Sequence, residues 1–252
     1  VRWQGEVGVT PDNVWYVPNA VPGNGPLNLR VVPGDTPTDF QANDAIVFND
    51  LALNGTVVIS DGNVSPSSLT IDNSTLRPYA FSGGFGITGA TGIVKNGTGV
   101  ATFSNTGNAF TGGVTLNAGT LTFTSSQTIA GGIVVNDGNL VLGAANTVSG
   151  NVVINGSGTI VQNATNGIGQ GSKLAFGSGS TGSFSLNGTD ATLSGLTTAA
   201  SAGSPVISNG AAGSSGLTVN IATGTNTFGG SIVNGGTGSL SFFKGGAGTL
   251  RL

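Results

Sequence analysis

The chain contains no histidine, no cysteine and no methionine, and only 7% of its 252 residues are charged. Each absence removes a class of chemistry. Without His or Cys, the common zinc and copper sites and the Ser/His or Cys/His nucleophile pairs cannot be assembled, so any metal would need oxygen ligands. No apolar run approaches the roughly 18 residues that cross a bilayer as a helix, so membrane insertion is not expected. With a pI of about 4.5 and no basic cluster, nucleic-acid binding is disfavoured. The Gly-rich string at 83–86 lacks the Lys-Ser/Thr ending of a phosphate loop. The Asp-rich nonapeptide of calcium-binding β-rolls is missing as well. These readings assign no catalytic residue, no cofactor and no metal ligand. The start at Val1 rather than Met leads to the expectation of a processed or excised chain.

What the chain has is repetition. The phrases NAFTGGVTLNAGTLTF from Asn108, QTIAGGIVVNDGNLVL from Gln127 and NTVSGNVVINGSGTIV from Asn146 follow one another. Gly112, Gly131 and Gly150 stand 19 residues apart, and each is followed five residues later by Asn117, Asn136 or Asn155. A worn copy from Asn226 keeps the offset between Gly229 and Asn234. A period near twenty sustained along a chain is the signature of a solenoid. Short runs of Val, Ile, Leu, Phe and Thr between Asn, Gly, Ser and Asp read as strands and turns. The expected fold is all-β: a parallel β-helix of about ten coils, each about 19–21 residues long, over 45–252.

Side chains alternate along a strand, so Val114 and Leu116 should point inward and Thr115 outward. Ile133 with Val135 and Val152 with Ile154 should repeat that pair. Leu121 with Phe123, Leu140 with Leu142, and then Ile160 should form a second set after each corner. The stacked corner residues Asn117, Asn136 and Asn155 should form an amide ladder like those of cross-β stacks, with Gly supplying positive φ at the turns. An antiparallel sandwich competes, because Asn-Gly at 54, 96, 155, 187, 209 and 234 also signals hairpins. Hairpins alone do not explain a 19-residue register held by two markers, which favours the solenoid.

Residues 1–44 differ in kind. They hold six of the nine prolines, among them Pro22, together with Trp3 and Trp15, and they lack the repeat phrase. They read as an irregular cap or docking segment. Charge is also uneven: residues 1–90 carry eight acids against Arg2, Arg30 and Arg77, whereas 91–252 carry Asp137 and Asp190 against Lys95, Lys173, Lys244 and Arg251. Unlike charges at the two ends would steer head-to-tail association.

The stretch 92–123 resembles the autotransporter-associated β-strand repeat of bacterial surface and secreted proteins. Lys95, Gly97, Gly99, Asn108, Phe110, Gly112, Gly113, Gly119 and Leu121 match its pattern, and 239–252 matches the first third of another unit. Val100 and Ala101 depart from the usual Thr-Leu, and Ser231 falls where Val114 predicts an apolar residue. The resemblance implies a right-handed parallel β-helix, export, and a structural or adhesive role. It carries over no catalytic residue.

Three functions follow as expectations. The first is a non-enzymatic extracellular or cell-surface protein that assembles with itself head to tail into a filament or sheath. Its interface would be the strand Gly248, Thr249, Leu250, Arg251 and Leu252 against Trp3, Trp15 or Tyr16 of the next copy. The second is an adhesin or passenger stalk, for which surface glycans are a partner class. The third is a glycan-active enzyme, which would need clustered carboxylates that 73–252 supplies only as Asp137 and Asp190.

Overall fold

The computed structural model describes residues 1–7, 10–18, 21, 24–201 and 203–252, and Pro22 lies outside them. Strands and turns make up the described residues, with no helix among them. The fold is a parallel β-solenoid of about nine turns in all, close to the ten expected. Two compact units divide the chain, Val1–Thr128 and Ile129–Leu252.

In the first unit each winding contributes one strand to each of two sheets. Ala45–Asn49, Ser68–Asp72, Ile93–Lys95 and Val114–Leu116 pair in parallel as the first sheet. Thr56–Val58, Tyr79–Ser82, Val100–Phe103 and Thr120–Phe123 form the second. Like residues lie over like: Ile46, Leu69, Ile93 and Val114 share one inward column, and Val57, Phe81, Phe103 and Phe123 another. These side chains are buried, which removes their apolar surface from water and drives the stacking.

The second unit repeats the plan. Ile133–Val135, Val152–Ile154, Ser172–Phe176, Ala191–Thr198, Ser215–Asn220 and Leu240–Gly245 pair successively as the first sheet. Asn139–Leu142, Thr159–Gln162, Ser183–Ser185, Val206–Ser208 and Ser231–Val233 form the second. Every inward residue expected from alternation is buried, from Val114 to Ile160. Antiparallel pairs occur, among the described residues, only near the amino terminus. The sandwich is therefore excluded.

Two expectations need correction. The expected coil length of about 19–21 residues holds from Ile133 to its partner Val152, 19 apart, and from Ile93 to Val114, 21 apart, but Leu217 and Phe242 are 25 apart. The extra residues are absorbed mainly outside the paired strands, because hydrogen bonding holds the strand stations while the corners are free to lengthen. A register shift between Ser172 and Lys173 adds one bulge. The worn copy at Gly229 and Asn234 is not equivalent to the others. Its strand Ser231–Val233 pairs with Val206–Ser208 in the second sheet, whereas Val114, Ile133 and Val152 lie in the first. Ser231 is polar because it does not occupy the Val114 station.

Candidate functional site

At the front of the first unit, residues 1–44 close the solenoid. Arg2 pairs in parallel with Val47, and Leu29–Arg30 then Pro37–Thr38 continue the sheet antiparallel. The second sheet is closed too: Trp15 N donates to Val58 O at 2.8 Å and Val58 N to Asn13 O at 2.6 Å. Inside, Trp3 and Trp15 sit 5.8 and 5.6 Å from the Phe48 ring, and Phe40 meets Trp15 edge-on at 5.4 Å. Both tryptophans are fully buried, so their rings form the plug of this end and present no surface to a second copy. Tyr16 is half-buried. Its hydroxyl pKa is raised, first by burial and then by a hydrogen bond to Asp12.

The last winding of the second unit is open. Leu240–Gly245 pairs with Ser215–Asn220 on one edge only. Phe242 lies in the column of Leu217 yet is 36% exposed, against 1% for Leu217. The predicted interface strand is present as Thr249–Arg251, paired with Thr225–Thr227 on its inner edge. Gly248 N donates to Ile221 O at 2.8 Å, and Leu252, Phe243 and Val233 are exposed. The structure thus brings Gly248, Thr249, Leu250, Arg251 and Leu252 to one open edge, and places Trp3 and Trp15 inside the first unit.

The Lys-x-Gly-x-Gly motif acquires a physical meaning here. Lys95 points into the core between Ile71 and Leu116 and is fully buried. Its Nζ donates to Gly97 O, and to Ala118 O of the following winding at 3.5 Å. Burial pushes its pKa down to about 8, partly opposed by Asp72. A Cβ on Gly97 would fall 2.0 Å from Asn73 O, and one on Gly99 2.2 Å from Ser74 O. Those glycines exist because the backbone of the preceding winding leaves no room for a side chain. Lys244 repeats the arrangement, donating to Gly246 O at 2.7 Å and to Gly248 O.

The repeat markers divide between two tasks. A Cβ on Gly112 would meet Ala90 O and Gly92 N at 2.7 Å, and one on Gly150 would meet Gly132 N at 2.5 Å. Positive φ falls instead on the next residues, 79° at Gly113 and 83° at Gly132. Corner amide rungs are present within each unit: Asn136–Asn155 as expected, and Asn117 with Asn96. Asn155 Nδ2 donates to Asn136 Oδ1 at 2.8 Å, and Asn117 Nδ2 donates to Asn96 Oδ1 at 2.7 Å.

A second, buried amide network was not anticipated. Asn105, Asn108 and Gln127 are buried together. Asn108 Nδ2 donates to Asn105 Oδ1 at 3.1 Å and to Gln127 Oε1 at 2.8 Å, and its Oδ1 accepts from Ile87 N at 2.8 Å. In the second unit Asn146 Nδ2 donates to Gly167 O and, at 3.0 Å, to Ala144 O. Asn108, Gln127 and Asn146 are the first residues of the three repeat phrases. That position was the available signal: an amide at every phrase start, next to an apolar strand.

A groove of about 680 Å³ also lies on the first unit, between the outer face of Ala45–Asn49 and the loop 31–35. Val31, Val32, Val47 and Leu51 line it with Arg2, which is paired to Asp35. No group of three or more metal-capable residues occurs among the described residues. No helix there is long and apolar enough to cross a membrane. No protein-family model, curated protein or solved structure matches this chain.

Proposed function

We propose that the protein is a non-enzymatic structural β-solenoid of the bacterial cell surface or extracellular space, with the role of a stalk. The observation that carries this reading is the buried, in-register stacking of the windings: in the first unit Ile46, Leu69, Ile93 and Val114 form one apolar column and Val57, Phe81, Phe103 and Phe123 another, so the interior is filled by core side chains. At the front of that unit, antiparallel strands and buried tryptophans close the sheets, and Pro37 on the outermost strand blunts pairing there.

The few acids of the second unit support a structural role. Asp137 Oδ1 accepts from Ser157 N and Oγ at 2.9 and 2.6 Å, and Asp190 Oδ1 from Gly216 N at 2.7 Å. Each joins one winding to the next, an engagement that suits corners better than acid–base chemistry on a glycan. The resemblance to the autotransporter-associated repeat supports the location.

A head-to-tail homopolymer is the second reading, favoured by the net charge of −5 over 1–90 against +2 over 91–252. Sedimentation velocity and electron microscopy over a wide concentration range separate the two. The stalk reading expects dispersed monomers throughout. Long fibres with an axial repeat near one molecule would overturn it in favour of the homopolymer.

A further inference from the structure

Asparagine precedes glycine at 54, 96, 155, 187, 209 and 234. Such a pair can react within itself, because a glycine N–H has no Cβ beside it to shield it from the preceding side-chain amide. Five of the pairs lie before the last winding, and the structure holds them differently. Asn209 is fully buried, and its Nδ2 donates to Gly213 O. Asn187 Nδ2 donates to Asn163 Oδ1 at 2.6 Å, while Gly188 N donates to Asn209 Oδ1 at 2.7 Å. Asn155 Nδ2 is held by Asn136 Oδ1 at 2.8 Å, and Asn54 Nδ2 by Asn13 Oδ1.

Asn96 is the exception among the five. Its side chain is exposed, and among the described residues no hydrogen bond engages its Nδ2 or the N–H of Gly97. Its Oδ1 accepts from Asn117 Nδ2 at 2.7 Å, which draws electron density away from Cγ. We propose that Asn96 is a site of self-modification, a deamidation that ages this corner of the first unit. Gly97 N attacks Asn96 Cγ: the N–Cγ bond forms, the Cγ–Nδ2 bond breaks, and Nδ2 leaves as ammonia with the proton of Gly97 N. Water then opens the cyclic imide at either carbonyl, giving an aspartyl or an isoaspartyl residue at position 96. No reagent besides water is consumed.

The two products act differently on the winding. An aspartyl residue still offers an oxygen to Asn117 Nδ2. An isoaspartyl residue puts an extra main-chain carbon between positions 96 and 97, where room is lacking: a Cβ on Gly97 would already fall 2.0 Å from Asn73 O. The corner must shift, and with it Gly97 O, which receives the Lys95 ammonium. A buried cation that loses an acceptor destabilises the strand that carries it.

The test incubates the purified protein at mildly alkaline pH, folded and, in parallel, unfolded in urea. Peptide mapping by mass spectrometry follows each Asn-Gly pair, and enzymatic methylation reports isoaspartate. Releasing one hydrogen-bonded amide costs roughly a factor of ten in rate, so the folded protein should convert Asn96 about tenfold faster than Asn54, Asn155, Asn187 or Asn209. In urea the five should convert at similar rates. Equal rates in the folded protein, or a folded ranking that merely repeats the one in urea, would overturn the site. Hydrogen exchange of Ile93–Lys95 then reads the consequence. Ageing should speed it severalfold in the unsubstituted protein and leave it unchanged in Asn96→Gln, which keeps a side-chain amide but lacks the reactive pair. Equal speeding in both proteins, or none in either, would overturn the coupling to Lys95.

Discussion

Phe81 and Phe103 lie face to face, their ring centroids 4.2 Å apart and their planes within 4°. Isolated aromatic pairs prefer offset or edge-on arrangements. Here the parallel register sets Phe103 directly on Phe81, so the stacking distance follows from the backbone spacing between strands. Phe123 continues the column at 5.5 Å.

Removing the middle ring therefore opens a cavity bounded on two sides. Phe103→Ala should cost about 3–5 kcal/mol, read as a fall in the urea midpoint. Phe103→Leu should cost less than half as much, because an apolar group still fills most of the space.

The two amide networks should differ in weight because they differ in burial. Asn155→Ala removes one half-buried ladder bond to Asn136 and should cost about 1 kcal/mol. Asn108→Ala takes the acceptor from buried Ile87 N and removes the buried bonds to Asn105 and Gln127 and should cost about 3 kcal/mol or more. Equal costs in chemical denaturation would refute the distinction.

Glycine substitutions test the close approaches. Gly112→Ala places a methyl 2.7 Å from the backbone of Ala90 and Gly92 and should destabilise by more than about 2 kcal/mol. Gly84 has nothing within 4 Å of a Cβ, so Gly84→Ala should be neutral or stabilise by about 0.4–1 kcal/mol through the unfolded chain. Thermal melts of the two variants decide the matter.

Alkaline pH should first strengthen and then weaken the fold. Native Lys95 releases its proton near pH 8, while the unfolded chain holds it to about 10.5. Between those values the unfolded state binds more protons, so stability rises with pH. Burial raises the pKa of the Tyr79 hydroxyl above its ordinary 10.0. The unfolded state then ionises first, and stability falls above about pH 10. Urea midpoints should peak near about pH 10, and Lys95→Met should abolish the rise without removing the fall.

Much of this was legible because a strand writes its two faces into the sequence with a period of two. Val114, Ile133 and Val152 were identifiable as core, and Asn136 and Asn155 as a ladder, since each recurs at a station the winding repeats. Lys95 was not, because a charged residue in an apolar run reads as outward until the corner carbonyls that receive it are in place. Trp3 and Trp15 carried composition alone, with no period to say that they plug the front.

The sequence by itself determined that the chain winds, which side chains face inward in the regular repeats, and where amides recur. Only the tertiary structure decided which sheet Ser231–Val233 joins, how far the pitch stretches, and which end is closed. The physical reason is that every strand of a winding obeys the same alternation, so the pattern distinguishes inside from outside but not one sheet from another. That choice depends on corner lengths and on contacts between residues about 19 to 25 positions apart, which exist only once the windings are stacked.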